Sequence, residues 1–455
     1  MADSRIHFVG IGGIGMSGIA RMLLHKGMHI SGSDSKESEI VRELRARGAE
    51  IQIGHRSENV HGAAEVVTSS AISKDNPEWS EAIRLGIPVM HRSKKLAQLV
   101  NAHRGITIAG THGKTTTTSM VATVLHSAGL VPSYVVGGII NTFSDNARMG
   151  DGDWFVIEAD ESDGSLVEYR PEIAILTNIE LDHTDYYRDL AHLHEVFGNY
   201  ISNIRPGGIC IYCADDEGAR TLVSGRNGCE YLSYGLKPGA RLVAGEITFS
   251  DLGSRFPVLL EGKELGLINL QVPGLHNCQN CLAAVAVGLR AGLDFQTIAT
   301  GLNHFNGVQR RFQIIARNGN SMVVDDYAHH PSEVRATLSA ARRAHKSRII
   351  AAFQPHRYSR TQSFAQDFGA AFGNADEVII TDIYGAGEEP IPEVTSELII
   401  QSLKANNHPN VRMVHGLDNL ESFLAGRMRP DDMVITLGAG DIWKVAKSLG
   451  ERIPV

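Results

Sequence analysis

Eight residues, Gly110-Thr111-His112-Gly113-Lys114-Thr115-Thr116-Thr117, do most to restrict what this chain can become. The apolar run Ile106 to Ala109 precedes them. Met120, Val121, Val124 and Leu125 follow at helical spacing, with Gly129 placed to stop the helix. Strand, glycine loop, lysine, hydroxyl and helix is the layout of a phosphate-binding loop, in which backbone N–H groups and a helix N-terminus meet a polyanion. Lys114 is expected to reach the outer phosphates and Thr115 to face Mg2+. The match to G-x-x-x-x-G-K-T is inexact, because Ile108 stands where the first glycine would.

A second glycine fingerprint lies upstream. Gly10-Ile11-Gly12-Gly13-Ile14-Gly15 follows the strand pattern Ile6 to Val9, and Asp34 comes 19 residues after Gly15. Alone this reads as an NAD site. The physics is broader: a tight turn at a helix N-terminus accepts any pyrophosphate, and an acid after the second strand can hold any ribose. UDP-sugars meet both requirements. A phosphate loop in mid-chain after such a fingerprint argues against a simple dehydrogenase and for an ATP-driven enzyme.

At 455 residues, two or three domains are expected. Short apolar strands alternate with helical stretches throughout, which predicts α/β domains with parallel sheets. Segment 1–103 carries strands near residues 6, 28, 50, 65 and 88. Segment 104–307 continues through Trp154 to Glu158 and Ile173 to Thr177 and ends in a helix from Asn277 to Gly292. Segment 308–455 alternates again, with strands near residues 322, 348, 377, 411 and 432. A net charge of −8 does not favour nucleic acid. No apolar stretch approaches membrane-spanning length, and the N-terminus runs almost directly into a strand without signal-peptide anatomy. Five cysteines are expected as free thiols in a reducing cytoplasm. Cys210/Cys213 and Cys278/Cys281 have zinc-like spacing. The first pair alternates across a strand and the second lies on a helix, so buried thiols are the better reading.

Polar motifs cluster after strands. Glu158-Ala159-Asp160-Glu161-Ser162-Asp163 and Asn178-Ile179-Glu180-Leu181-Asp182-His183-Thr184-Asp185 place carboxylates and an imidazole beside the phosphate loop. With the Thr115 hydroxyl, Glu158 and His183 could hold two divalent cations. In the third segment, Asp325 to Pro331, Gln354 to Thr361 and Gly438 to Asp441 all follow strands, at the edge where open α/β sheets bind ligands.

Taken together the chain resembles the Mur ligases over essentially its full length. GTHGKTTT (110–117), EADESD (158–163), NIELDHTD (178–185), GLHNCQN (274–280), VQRRF (308–312), DDYAHHP (325–331), QPHRYSRT (354–361) and GAGDI (438–442) carry the resemblance. HFVGIGGIGMSGIA (7–20) is most similar to the alanine-adding branch. The resemblance implies an N-terminal Rossmann-like UDP-binding domain (1–103), a central P-loop ATPase-like domain (104–307) and a C-terminal Rossmann-like domain (308–455). The implied reaction joins UDP-N-acetylmuramate to L-alanine at the expense of ATP, through an acyl phosphate, with Mg2+ at two positions.

Matched residue by residue, Gly110 to Thr116 would cradle ATP, with Lys114 on the outer phosphates. Thr115 and Glu158 would hold one metal and His183 the other. Asn277 and Asn280 would contact adenine, Arg311 the γ-phosphate and Asp326 the ribose. Gly12, Gly13, Gly15 and Asp34 would bind UDP. Arg357 and Arg360 would meet substrate phosphate, and Tyr327, His329 and His356 would line the amino-acid region. Asn178 and Glu180 would face the reacting groups. Several relatives complete the second metal with a carbamylated lysine, but no lysine lies between Lys114 and Lys237 here, which favours the alanine-adding branch. A monomer or weak homodimer is expected. The rival readings are a ligase that recycles a whole tripeptide, an NAD-dependent oxidoreductase, and a non-catalytic nucleotide sensor.

Overall fold

A computed structural model describes residues 4–162, 164–182 and 186–453. Three sheets follow one another along the chain. The first is parallel throughout, in the order Glu50–Ile53, Ile30–Asp34, Arg5–Val9, Ala63–Thr68, Val89–His91. The strand order reverses beside Arg5–Val9, and the glycine turn leaves from the carboxyl end of that strand. That is the switch point where doubly wound sheets open a crevice.

The central sheet is built from a parallel core. Ser133–Ile140, Trp154–Glu158, Arg104–Ala109, Ile173–Leu176, Ile209–Cys213 and Glu230–Gly235 lie side by side in that order. Asp145–Arg148 closes one edge antiparallel. Beyond Leu242–Ala244 the other end turns into an antiparallel extension, where Gly253–Leu260 pairs with Thr248–Ser250 and Lys263–Leu270. The alternating strand and helix pattern of the sequence did not anticipate this extension.

The third sheet runs Gln313–Asn318, Ser321–Asp326, Met433–Leu437, Ile349–Phe353, Glu377–Ile380, Val411–Met413, parallel except for its first strand. All five residues of Ile349–Phe353 and of Met433–Leu437 are buried, as expected of strands covered by helices on both faces.

The sheets are packed on one another. Phe155 and Ile157 of the central sheet share an apolar cluster with Met16, Ile19 and Leu23 of the first helix. The link into the third sheet is anchored by Gln309 N–H donating to the Ile139 carbonyl at 2.9 Å and Asn141 N–H donating to that of Gly307 at 3.1 Å. All five cysteines are free, as expected. Among the described residues, no helix is long and apolar enough to cross a membrane.

One buried polar network stands out in the first sheet. Glu78, fully buried, accepts hydrogen bonds from Ser33 Oγ at 2.6 Å and Asn59 Nδ2 at 2.5 Å, while His7 Nε2 lies 3.6 Å away. Burial opposes its charge, yet the nearby His7 imidazole and the bonds from Ser33 and Asn59 prevail and bring its pKa down to about 2. Because the folded pKa is depressed, the contribution is complete above the unfolded carboxylate value. It is lost as pH falls from about 4.5 toward about 2. Glu78→Gln should lower stability by about 2–3 kcal/mol at neutral pH. The difference from wild type should shrink through that acid window in urea titrations at stepped pH. A constant difference would contradict an ionised Glu78.

Candidate functional site

The phosphate loop is fixed by the next strand end. Thr111 N–H donates to the Asn178 carbonyl at 3.0 Å and His112 N–H to Asn178 Oδ1 at 2.8 Å. Asn178 Nδ2 returns a bond to the His112 carbonyl at 3.0 Å, and Thr177 Oγ1 donates to the same carbonyl at 2.6 Å. The amides of Thr111 and His112 are therefore engaged within the protein. The N–H groups of the first helical turn, Lys114 to Thr116, lack intrahelical acceptors, and Thr115 and Thr116 line the cavity facing the loop. Two glycines make this path feasible. Gly110 has φ +131° and a Cβ there would lie 2.1 Å from Thr177 Oγ1; Gly113 has φ +82° and a Cβ would lie 2.8 Å from Asn280 Oδ1.

Lys114 Nζ donates to the Gly110 carbonyl at 2.7 Å and to both oxygens of Glu161 at 2.8 and 2.7 Å. Burial disfavours its charge, but Glu161, Asp160 and Glu158 outweigh this and raise its pKa. Thr115 Oγ1 donates to Glu158 Oε2 at 3.2 Å, and Gly137 N–H donates to Glu158 Oε1 at 2.5 Å. Burial pushes the Glu158 carboxyl up.

Facing the loop is a cavity of about 310 Å³. Asn277, Asn280 and Gln279 from the helix Leu275–Arg290 line one side, and Val272, Phe305 and Phe312 supply apolar wall. Asn277 Nδ2 donates to the Pro273 carbonyl at 2.7 Å, and Gln279 Nε2 to Asp215 Oδ2 at 2.7 Å. The third sheet closes the cavity with Arg311, Asp326 and Glu333. Arg311 Nη2 reaches Thr115 Oγ1 at 3.4 Å. Asp326 accepts from the N–H groups of Phe312 and Ala328, both at 2.7 Å, and burial raises its pKa to about 6.

Beside the cavity runs a chain of rings. Tyr327 and His329 lie 5.3 Å apart, His329 and His356 5.6 Å, and His356 stacks on Tyr384 at 5.8 Å. Burial lowers His329 to about 4 and His356 to about 3, so both imidazoles are neutral at pH 7. Arg360 adjoins them but is committed elsewhere, with Nη2 2.8 Å from Asp182 Oδ1 and both side chains buried. Arg357 is the N-cap of the helix Tyr358–Gly369, with φ +67°, and its Nη1 lies 3.7 Å from Glu388.

The structure thus gathers the loop, Asn178, Glu180, Asn277, Asn280, Arg311 and Asp326 around one cavity, with Tyr327, His329, His356 and Arg360 adjoining. Gly12, Gly13, Gly15 and Asp34 form a separate group on the first sheet, where Gly12 N–H donates to Asp34 Oδ2 at 2.8 Å. Arg357 and Arg360 belong instead to the start of the helix Tyr358–Gly369, beside the third sheet. His183 lies outside the described residues, as do Asp163, Thr184 and Asp185.

Sequence reasoning passed over several partners. Glu161 and Asp182 sat inside quoted motifs without a role. Glu333 carried a readable signal, three residues after His330 and just behind Pro331, and it closes a capping box there. Arg92 had none: its Nη1 lies 3.0 Å from where a Gly15 Cβ would be, against the glycine turn.

Three family models match in succession: "Mur ligase family, catalytic domain" over residues 5–104, "Mur ligase middle domain" over 108–288, and "Mur ligase, glutamate ligase domain" over 310–440. A UDP-N-acetylmuramate–L-alanine ligase of Syntrophobacter fumaroxidans is 46% identical, over 98% of this chain and 95% of that protein. Among solved structures, the UDP-N-acetylmuramate–alanine ligase of Thermotoga maritima is 31% identical with a TM-score of 0.80, covering 98% of both chains. A murein peptide ligase from Psychrobacter arcticus shares the fold, at 24% identity and a TM-score of 0.70 over 99% of this chain.

The Arg360–Asp182 pair crosses from the third sheet to the central one. Arg360→Ala should destabilise the protein by about 3–5 kcal/mol, because Asp182 keeps its buried charge and loses the guanidinium. Adding Asp182→Asn should recover much of that loss. Additive effects in a double-mutant cycle, read by denaturant titration, would mean the pair is not coupled.

Proposed function

This chain belongs to the Mur ligase family, and from that premise we propose that it joins UDP-N-acetylmuramate to L-alanine in an ATP-dependent reaction of peptidoglycan synthesis. The observation that carries the reading is the shared cavity. A phosphate loop on the central sheet, Arg311 in the link to the third sheet and Asp326 at a strand end of that sheet line one space, with a chain of neutral rings beside it.

A carboxylate resists attack by an amine, and phosphorylation supplies a leaving group. In the proposed sequence an oxygen of the lactyl carboxylate attacks the γ-phosphorus, and the bond to the bridging oxygen of ADP breaks. The alanine amine then attacks the acyl carbon, and phosphate departs with the bonding pair of the C–O link. The protein's part is positioning and charge neutralisation. Helix amides from Lys114 to Thr116 face the phosphates, Lys114 and Arg311 offset their charge, and Asp326 meets the ribose. Asn277 and Asn280 present amides toward adenine. Neutral His329 and His356 accept hydrogen bonds from the incoming amine, which a protonated imidazole would repel.

The Thr115 hydroxyl and Glu158 carboxylate fit a magnesium ion. Both are hard oxygen donors, they lie 3.2 Å apart, and the Glu158 carboxylate, held by Gly137 N–H, keeps lone pairs for a cation beside the charges of Lys114 and Arg311. Bound there, Mg2+ would neutralise charge on the β- and γ-phosphate oxygens. His183 is the proposed ligand of a second ion. In the first sheet, Gly12, Gly13 and Gly15 receive the UDP pyrophosphate, Asp34 the ribose, and Arg92 adds a guanidinium at the same turn.

The test is phosphate release with ATP, Mg2+ and UDP-N-acetylmuramate, adding in turn L-alanine, D-glutamate and the L-Ala-D-Glu-diaminopimelate tripeptide. Release with L-alanine alone, and a product of matching mass, is expected. Release only with tripeptide would make this a recycling ligase. Lys114→Ala should lower turnover by about a thousandfold or more while UDP-sugar affinity changes little, since the two sites lie on different sheets. Equal loss of both would contradict that division.

A further inference from the structure

At the seam between the central and third sheets, three ligand-type side chains converge outside the Thr115–Glu158 oxygen pair. His112 Nε2 lies 3.4 Å from Glu180 Oε2, and His330 Nδ1 lies 3.9 Å from the same oxygen. The three donor atoms fall within 4.8 Å of one another. The two imidazole rings are 4.8 Å apart between centroids. His112 Nε2 and His330 Nε2 are buried without a hydrogen-bond partner, and His330 is only 5% exposed. Buried imidazole nitrogens without partners are uncommon in a folded protein and call for an explanation.

We infer that His112, Glu180 and His330 form a binding site for one divalent transition-metal ion of the zinc class, completed only when the third sheet is docked on the central one. Two imidazoles and a carboxylate are the donor set of an open tetrahedral zinc site. With zinc–ligand bonds of about 2.0–2.1 Å, tetrahedral donors sit about 3.4 Å apart. The His112–Glu180 separation already has that value, and His330 Nδ1 needs only a small approach, exchanging the long 3.4 Å bond from Ser332 N–H for the ion. The ion also displaces the proton that His112 holds between its two carboxylates, so uptake releases a proton. Charge favours a cation too, because Glu333 Oε1 stands 3.2 Å from His112 Nδ1, behind the imidazole. That bond also fixes the His112 ring, as the second nitrogen of a ligating histidine is usually fixed. Magnesium prefers oxygen donors and is served by Thr115 and Glu158, so the two positions select different ions. An ion on Glu180 and His112 would hold both away from the reacting groups and pin the sheets together. It should therefore inhibit the ligase.

The test uses the full-length chain, stripped of metal and kept in excess Mg2+. Calorimetric titration with Zn2+ should show one tight equivalent, and Co2+ should give the intense visible absorption of a tetrahedral site. His330→Asn is the informative variant. Asparagine can still cap the helix Pro331–Ala344 as His330 does, but it is a poor ligand for such an ion. The variant should keep the wild-type Tm and its zinc-free turnover, bind Zn2+ about a hundredfold more weakly or worse, and lose the Co2+ absorption. Inhibition of the wild type by Zn2+ should be reversed by a chelator and blunted in the variant. No Zn2+ uptake, or uptake unchanged in His330→Asn, as binding to the free cysteines would give, overturns the proposal. Should that variant fail to fold, His112→Asn probes the same site: the Co2+ absorption should vanish, and its persistence overturns the proposal equally.

Discussion

Everything at this site depends on Asn178 holding the phosphate loop from both sides. Its carbonyl and Oδ1 take the amides of Thr111 and His112, and its Nδ2 binds the His112 carbonyl. A loop tied at both donors and acceptors cannot rotate its peptide planes. The helix that starts at Lys114 therefore presents its free amides in one direction. The clamp also explains the glycines. A strand end drawn this close leaves no room for a Cβ at Gly110. The same strand end then delivers Glu180, whose backbone N–H is hydrogen-bonded to Thr111 Oγ1 at 2.9 Å, into the seam with the third sheet. One asparagine thus sets the phosphate loop and the first contact of the docking surface.

Docking of the third sheet is electrostatic where it is closest to that loop. Glu180 and Glu333 flank His112, Ser332 Oγ donates to Glu180 Oε2 at 2.6 Å, and Arg360 meets Asp182. Buried ion pairs bring little net stability, because desolvation nearly cancels attraction. Their value here is positional. Glu180 is met by His112 and His330, Glu333 by His112, His329 and Arg311, and Asp182 by Arg360, so docking in this register answers every one of these carboxylates. That register brings Arg311 to Thr115 and puts Asp326 on the far wall.

Much of the framework was legible in the sequence. Trp154 to Glu158 was read to the residue, the strand expected near residue 50 starts at Glu50, and Pro331 opened a helix as its fixed φ predicts. These segments announce themselves through local pattern. The antiparallel extension did not. Thr248–Ser250 is three residues long, and Lys263–Leu270 carries Lys263, Glu264 and Gly266, so neither reads as a buried strand. The partners of the site were hidden for a different reason. Glu161 on Lys114, Asp182 on Arg360 and Arg92 on the glycine turn are pairings across 47, 178 and 77 residues, the last counted from 15 to 92. No local rule selects one acid or arginine from several nearby, because the choice is made by how sheets pack.

The histidines of this seam show how far environment, and not residue type, sets the chemistry. His112, His276, His329 and His356 are all largely buried, and burial alone drives an imidazole toward neutrality. Three of them follow that rule, at about 4, 4 and 3 respectively for His276, His329 and His356. For His112 burial acts in the same sense, but the carboxylates of Glu180 and Glu333 overcome it and raise it to about 9. At pH 7 the seam therefore carries one imidazolium, placed between two carboxylates beside the phosphate loop, and neutral rings where an amine is to arrive. Exchanging those states would put a cation against the incoming amine and leave two carboxylates facing each other near a triphosphate. The two acids decide between these outcomes, and both belong to elements whose positions trace back to the strand end that holds the loop.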